Sequence, residues 1–214
     1  MTPSAPPKPR HRWFAYTYAK FIEPSDKKKL GPVRQLVAGG AHGRVLELGA
    51  GTGANLEFYN WSKLDSLEIT EPDPFMMRYI TPKLAALPAE ARVKVHTSEA
   101  PAEALPFADA EFDCAVVALV LCTVSDLEAS LRELHRVLKP GGEMRLVEHV
   151  KGSGRTATFQ RLAQPIYGWM SGDCQLTRDT EAAIRAAGFE LDVTDRKTDL
   201  GPLWPAFVGV AKKR

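Results

Sequence analysis

Two acids and three glycines carry the first chemical signal in this chain. Val45-Leu46-Glu47-Leu48-Gly49-Ala50-Gly51-Thr52-Gly53 is a short apolar run with a carboxylate inside it, stopping at glycines on alternate positions. Such a run reads as a buried strand that turns sharply into a helix, here from about Gly53 to Tyr59. Glycine is needed where the backbone takes positive φ or must come close to a ligand, and the free N–H groups of the helix start would face that ligand. Glu47 is a poor neighbour for a phosphate and a good one for a cationic amino group. No lysine follows the glycines, as it would in a phosphate-binding loop. A second acid, Glu71, stands roughly 20 residues on, where a carboxylate can take ribose hydroxyls. The pattern points to an adenosyl ligand carrying an amino group, not to a pyrophosphate.

The elements that must hold these groups alternate along the chain. Arg44 to Leu48, Leu64 to Thr70, Arg92 to His96, Phe112 to Leu121 and Glu143 to Val150 read as strands, and Glu190 to Asp195 and Ala206 to Ala211 as two more. Phe112 to Leu121 is apolar on both faces, as a central parallel strand covered by helices on both sides must be. Pro74 suits the first turn of a helix through Met76, Met77 and Ile80. Ser125-Asp126 caps Leu127 to Leu138, which ends at Lys139-Pro140-Gly141-Gly142. After Lys151-Gly152-Ser153-Gly154, a helix from Phe159 to Met170 is interrupted by Pro165. Thr177 caps Arg178 to Ala187, which ends at Gly188. Ahead of the first strand, Trp13, Phe14, Tyr16, Tyr18, Phe21 and Ile22 predict two helices broken near Pro24, either covering a sheet edge or forming a lid over a pocket. Strand and helix alternation predicts an open, doubly wound α/β sheet with right-handed crossovers, whose ligands sit at the C-terminal ends of the strands.

Composition narrows the class of protein. The 214 residues suit one domain, with 44% hydrophobic and 25% charged residues in the ordinary globular range. We divide it into a disordered, proline-rich tail (Met1 to Arg10) and one domain over 11–214: N-terminal helices at 11–42, a ligand-binding half at 43–150 and a C-terminal part at 151–214. The net charge of +2 is too small to call for nucleic acid. Lys8, Arg10, His11, Arg12 and Lys27 to Lys29 crowd one end and Lys212, Lys213 and Arg214 the other, as solvated termini or as a weak peripheral contact with an anionic membrane surface. Cys114, Cys122 and Cys174 are odd in number and lack metal-ligand spacing, which predicts a reducing compartment, no disulfide framework and no metal. With no bilayer-length apolar run and no signal-peptide core, a cytoplasmic location is expected, as monomer or homodimer.

The motifs as a set resemble the class I S-adenosylmethionine-dependent methyltransferases. Glu47 to Gly53 looks like their first motif. Glu71-Pro72-Asp73-Pro74, Ala102-Glu103-Ala104-Leu105-Pro106-Phe107, Phe112-Asp113 and Arg136-Val137-Leu138-Lys139-Pro140-Gly141-Gly142 follow in the family's order. The resemblance implies a Rossmann-like, mostly parallel seven-stranded sheet with an antiparallel last strand and an N-terminal helical lid. It implies S-adenosylmethionine as cofactor and S-adenosylhomocysteine as product. Glu47 would face the cofactor's amino group, and Gly49, Ala50, Gly51 and Gly53 would admit its methionine part, with Asn55 and Tyr18 close by. Glu71 would take the ribose hydroxyls, Pro72 and Met76 would pack the adenine face, Ala102 and Glu103 would read its edge, and Leu119 would close the near side. Pro101 replaces the aspartate that many relatives place before the Ala-Glu pair, which moves adenine recognition to the main chain or to Glu103.

Leu119 to Val124, Glu148-His149-Val150 and Gly172-Asp173-Cys174-Gln175-Leu176-Thr177-Arg178 are similar to the animal thiol S-methyltransferases of the methyltransferase-like group. Those carry an apolar N-terminal anchor that this sequence lacks, which bears on membrane location and on a lipophilic substrate. The resemblance implies methylation of a small-molecule thiol; a phospholipid head group or amine, or a quinone or phenol, is the alternative acceptor. A thiol must be ionised to attack. His149 and Asp173 are the candidate catalytic groups, although His149 equally suits a structural role at a strand end and Asp173 a cap or ion pair. Tyr16, Cys122, Glu148 and Cys174 would border the acceptor, the cysteines as small apolar residues and not as nucleophiles. An NAD-dependent oxidoreductase would share the glycine turn and the distal acid but not Leu-Pro-Phe or Lys-Pro-Gly-Gly. A cofactor-sensing regulatory subunit would have no need of both acids.

Overall fold

The computed structural model describes residues 12–197 and 205–214. The expected tail at 1–10 and most of the predicted connection at 201–205, with Trp204, lie outside the described residues. Seven strands form one sheet: β1 (Gly43–Leu48), β2 (Leu64–Thr70), β3 (Val95–Ser98), β4 (Phe112–Ala118), β5 (Leu138–His149), β6 (Phe189–Lys197) and β7 (Ala206–Lys213). Their order is β3-β2-β1-β4-β5-β7-β6. Pairing is parallel from β3 through β5, and β7 runs antiparallel to both β5 and β6. The predicted doubly wound sheet with an antiparallel last strand is therefore the observed one. Strand order reverses between β1 and β4, which opens a crevice at their C-terminal ends.

Successive side chains on a strand point to opposite faces, and both faces are covered. Val45, Leu67, Ile69, Cys114 and Val116 pack with Val33 and Val37 of α2 (Glu23–Val37) and Ile80 of α3 (Pro74–Ala85). Leu46, Leu48, Ala115, Val117 and Leu146 pack against Leu131 and Leu134 of α5 (Leu127–Val137) and Ile184 of α7 (Thr180–Ala186). Helix α1 (Arg12–Thr17) precedes α2, a short α4 (Ala89–Arg92) precedes β3, and α6 (Gly154–Met170) follows β5.

Several local expectations are corrected. Residues 51–58 form successive turns and no helix, closed by bonds of three-residue span such as Gly53 N–H to Ala50 O (2.9 Å) and Phe58 N–H to Asn55 O (2.9 Å). Gly53 sits at φ +76°, a conformation that a right-handed helix cannot include. The N-terminal helices do not break at Pro24, which occupies the first turn of α2; they are joined by a π-helical turn at Tyr18–Ile22. Pro165 does not interrupt α6. Helix α7 is capped by Asp179, whose Oδ1 accepts from Ala182 N (3.1 Å), and not by Thr177. β3 begins at Val95 because Ala89–Arg92 closes a helical turn. β5 begins at Leu138 and passes through Lys139 to Gly142, with the irregularity absorbed by a register shift against β4 between Phe112 and Cys114. β4 stops at Ala118 because Leu119 takes φ +61°.

Candidate functional site

A cavity of about 570 Å³ opens over the C-terminal ends of β1, β2, β4 and β5, within the size range of small-molecule sites. Gly49, Ala50 and Gly51 line it after β1, Glu71, Pro72 and Asp73 after β2, Leu119 and Val120 after β4, and His149 at the end of β5. Gly49 and Gly51 hold φ of +59° and +60°. A Cβ on Gly49 would meet Val120 Cγ1 at 2.8 Å, whereas one on Gly51 would project into open space. Gly51 is thus the place where the backbone lies bare to a ligand.

Glu71 is buried and organises this loop. Its Oε2 accepts from Gly51 N (2.7 Å) and its Oε1 from Asp73 N (2.9 Å), which fixes the carboxylate at the mouth of the crevice. Asp73 caps α3 through Oδ1, accepting from Phe75 N (2.8 Å), while its buried Oδ2 has no hydrogen-bond partner among the described residues. Arg34 of α2 also lines the cavity. Its Nη1 donates to Asn55 Oδ1 (2.6 Å), and its buried Nε has no partner among the described residues. Buried polar atoms are rarely left unpaired. A ligand with hydroxyls near β2 and a carboxylate near the glycine loop would satisfy both, and S-adenosylmethionine carries those groups.

The fourth wall is a single stripe of the N-terminal helices: Phe14, Tyr18, Ile22, Asp26, Leu30 and Arg34, each four residues after the last, with Lys29 beside them. Steps of four drift around an α-helix of 3.6 residues per turn. The π-helical turn at Tyr18–Ile22, with its i→i+5 bonds, takes up part of the drift and helps keep the stripe on the cavity side. Burial pushes the Tyr18 hydroxyl up to about 12. Burial also raises the Asp26 carboxyl, opposed by Arg34, His149 and Lys29.

At the β5 end, three groups converge. Cys174 Sγ lies 3.6 Å and Cys122 Sγ 4.0 Å from His149 Nδ1. The hydrogen bond from Cys122 holds the Cys174 thiol well below the ordinary range against burial, helped by His149 and Arg178. The same bond, with burial and Glu148, pushes Cys122 well up. Burial pushes Cys114, outside the cavity, up to about 12. Since the thiolate is the reactive form, iodoacetamide is expected to modify Cys174 first. It should go on doing so at pH values where Cys122 and Cys114 have stopped reacting. Peptide mapping by mass spectrometry reads this, and equal labelling of the three would contradict it.

The structure brings together most of the predicted site residues: Tyr18, Gly49, Ala50, Gly51, Asn55, Glu71, Pro72, Met76, Ala102, Glu103, Leu119, Cys122, His149 and Cys174 all border the cavity. Five do not. Glu47 is buried behind the glycine loop, accepting from Asn55 Nδ2 (2.9 Å) and Tyr59 OH (2.8 Å), so it braces the loop from beneath. Gly53 packs toward Leu56 and Ile80. Tyr16 is half exposed on the outer side of α1. Glu148 is fully buried, its Oε1 accepting from Val120 N (2.6 Å) and Leu121 N (2.9 Å) and its Oε2 from Cys122 N (3.3 Å). Asp173 is exposed in a left-handed turn (φ +68°). Glu103 borders the cavity, but its Oε1 is engaged by Ser125 N (2.8 Å) and Asp126 N (3.1 Å). Asp73, Arg34, Asp26 and Tyr167 were missed by sequence reasoning. Asp73 carried a readable signal, an acid before a proline that opens a helix, and the four-residue spacing from Phe14 to Arg34 was another.

Residues 46–146 match the methyltransferase domain family. The chain is 32% identical to human thiol S-methyltransferase TMT1B over 219 residues, covering 94% of this chain and 86% of that protein. The chain belongs to the class I S-adenosylmethionine-dependent methyltransferases. The methyltransferase is also 51% identical to the ubiquinone/menaquinone biosynthesis C-methyltransferase UbiE of Klebsiella pneumoniae, over 53 residues only, 25% of this chain and 21% of that one. Its fold is that of a solved S-adenosylmethionine-dependent methyltransferase from Thermotoga maritima, a possible histamine N-methyltransferase. That likeness has a TM-score of 0.61 at 21% identity, and covers 95% of this chain and 100% of the other. The cofactor of the methyltransferase is S-adenosylmethionine. Among its described residues, no helix is long and apolar enough to cross a membrane.

Proposed function

We propose that this methyltransferase transfers the methyl group to a small-molecule thiol. The observation that carries the reading is the extent of the likeness: it covers 94% of this chain and 86% of a thiol S-methyltransferase, against 56% of this chain and 49% of a quinone C-methyltransferase matched over 122 residues. S-Adenosylmethionine supplies an electrophilic methyl on a sulfonium, and the protein's tasks are alignment and exclusion of water.

Glu71 and Asp73 would take the ribose hydroxyls, with the backbone of Gly49 to Gly51 beside the methionine part and Arg34 at its carboxylate. Pro72 and Met76 would flank the adenine, and with Glu103 engaged by α5 the main chain at Ala102 would read its edge. β5 lies three strand spacings from β2, about 14 Å. That separation would put His149 at the acceptor end, beside an entering thiol, with Tyr18 and Tyr167 around the same space. Asp173, exposed and away from the cavity, has no part in this scheme.

Labelled-methyl assays over alkyl thiols, phenols, amines, a quinone and phospholipid vesicles test the acceptor. A thioether and S-adenosylhomocysteine in equal amounts are expected from a thiol. Turnover of an amine or quinone with every thiol inert would sink the proposal.

A further inference from the structure

Cys122, His149 and Cys174 are 27 and 25 residues apart in sequence, yet their ligand atoms lie within 4.8 Å of one another and all three border the cavity. We propose that these three side chains form a zinc site whose fourth coordination position opens into the cavity. Zinc–sulfur and zinc–nitrogen bonds of about 2.3 and 2.0–2.1 Å at tetrahedral angles place a sulfur and a nitrogen ligand about 3.6 Å apart. The Cys174–His149 separation of 3.6 Å meets that spacing, and the Cys122–His149 separation of 4.0 Å needs a few tenths of an ångström of closure. Two thiolates and an imidazole with one open side is the donor set zinc uses where it performs chemistry. Thiolates favour zinc or cuprous copper over magnesium or calcium. The two thiolates also balance the charge of a divalent ion, which matters because Cys122 and Cys174 are buried.

The surroundings hold the three ligands in place, as a metal site requires. Glu148 grips the backbone of Val120 to Cys122. Gln175 N donates to Cys122 O (2.7 Å), tying one cysteine loop directly to the other. Arg178 donates to Leu121 O (2.6 Å) and Val124 O (2.7 Å), and Gln164 donates to Cys174 O (2.9 Å) and accepts from Leu176 N (2.7 Å). A disulfide would need neither the histidine beside the sulfurs nor an opening toward the ligand space. A thiol entering the open position would exchange its S–H bond for a sulfur–zinc bond, its proton leaving to solvent, and be held as thiolate. This last step rests on the thiol reading above; the metal site does not.

The test uses the full chain, reduced, stripped with chelator and titrated with zinc. One equivalent should bind and protect Cys122 and Cys174 of the wild type from alkylation. Cobalt in its place should give the absorption of a tetrahedral thiolate complex. Cys122→Ser, Cys174→Ser and His149→Gln should each weaken zinc binding roughly 100-fold or more, and Cys114→Ser should leave it unchanged. Failure of the wild type to bind or to be protected overturns the site, as does equal binding by all three variants. Formation of a Cys122–Cys174 disulfide in air by a protein that takes up no zinc would make the pair a redox couple instead. Chelation that removes the metal and leaves thiol turnover intact would overturn the thiolate-holding step alone; thiols inert with zinc bound would overturn the acceptor reading alone.

Discussion

Glu71→Ala is expected to weaken S-adenosylmethionine binding by about 1–3 kcal/mol, a rise in Kd of roughly 5- to 150-fold. Two losses combine in that figure. In the proposed reading the carboxylate is the charged acceptor for the ribose hydroxyls, and charge-assisted bonds are the strong ones. It also holds the N–H groups of Gly51 and Asp73, so its removal frees the bare glycine backbone and the cap of α3 at once. Glu71→Gln should fall between wild type and alanine, because the amide keeps the size but turns a donor toward N–H groups that are themselves donors. Calorimetric titration with cofactor measures the change. A Kd within twofold of wild type for the alanine variant would remove Glu71 from the binding site.

Glu148→Ala is expected to destabilise the fold by about 3–5 kcal/mol, since it strands three buried N–H groups and leaves a void under the β4 loop. For a chain of this length that corresponds to a fall in Tm of roughly 6–20 °C. The group carries a pH signature as well. Burial pushes its carboxyl from 4.5 up to about 7, against the three N–H bonds and His149. Between those values the folded protein binds more protons at this site than the unfolded chain. Its contribution to stability is therefore complete below pH 4.5 and is lost as pH rises through 7, at no more than about 1.4 kcal/mol per pH unit. Melting curves from pH 5 to 8 should show this slope in the wild type and lack it in Glu148→Gln. Parallel curves would mean that Glu148 is ionised throughout.

The parts of this molecule legible in its sequence are those written in local pattern. Alternating apolar strands and helices predicted the doubly wound sheet, and Glu47 to Gly53 with Glu71 predicted its ligand, because strand ends and glycine turns are short-range features. Glu47 shows where such reasoning fails. An acid next to the glycines reads as facing the ligand, but its side chain points beneath the loop, where Asn55 and Tyr59 claim both oxygens. The helix expected from about Gly53 to Tyr59 fails for a related reason: the same Asn55 is drawn between Glu47 and Arg34, and Gly53 is left-handed. The family resemblance put Cys122, His149 and Cys174 around the acceptor, but their convergence on one another was not legible in local pattern. It arises from the pairing of β4 with β5 and from the return of the chain after α6, both long-range events. Reading the cysteines by their spacing predicted no metal set, because spacing is informative only where ligands share a loop.

The stripe from Phe14 to Arg34 has a kinetic consequence. Its N-terminal part, residues 12–22, buries Ala15 alone, whereas α2 is anchored to the sheet by Val33 and Val37; the junction is held by Glu23, which bonds Thr52 and Lys83. With so little apolar surface buried there, residues 12–22 would open at lower cost than the core would. Cofactor and product would then exchange by local opening of this part. The pace of turnover would follow how often residues 12–22 lift away, and a bound ligand packed against Tyr18 would slow digestion of this part by protease.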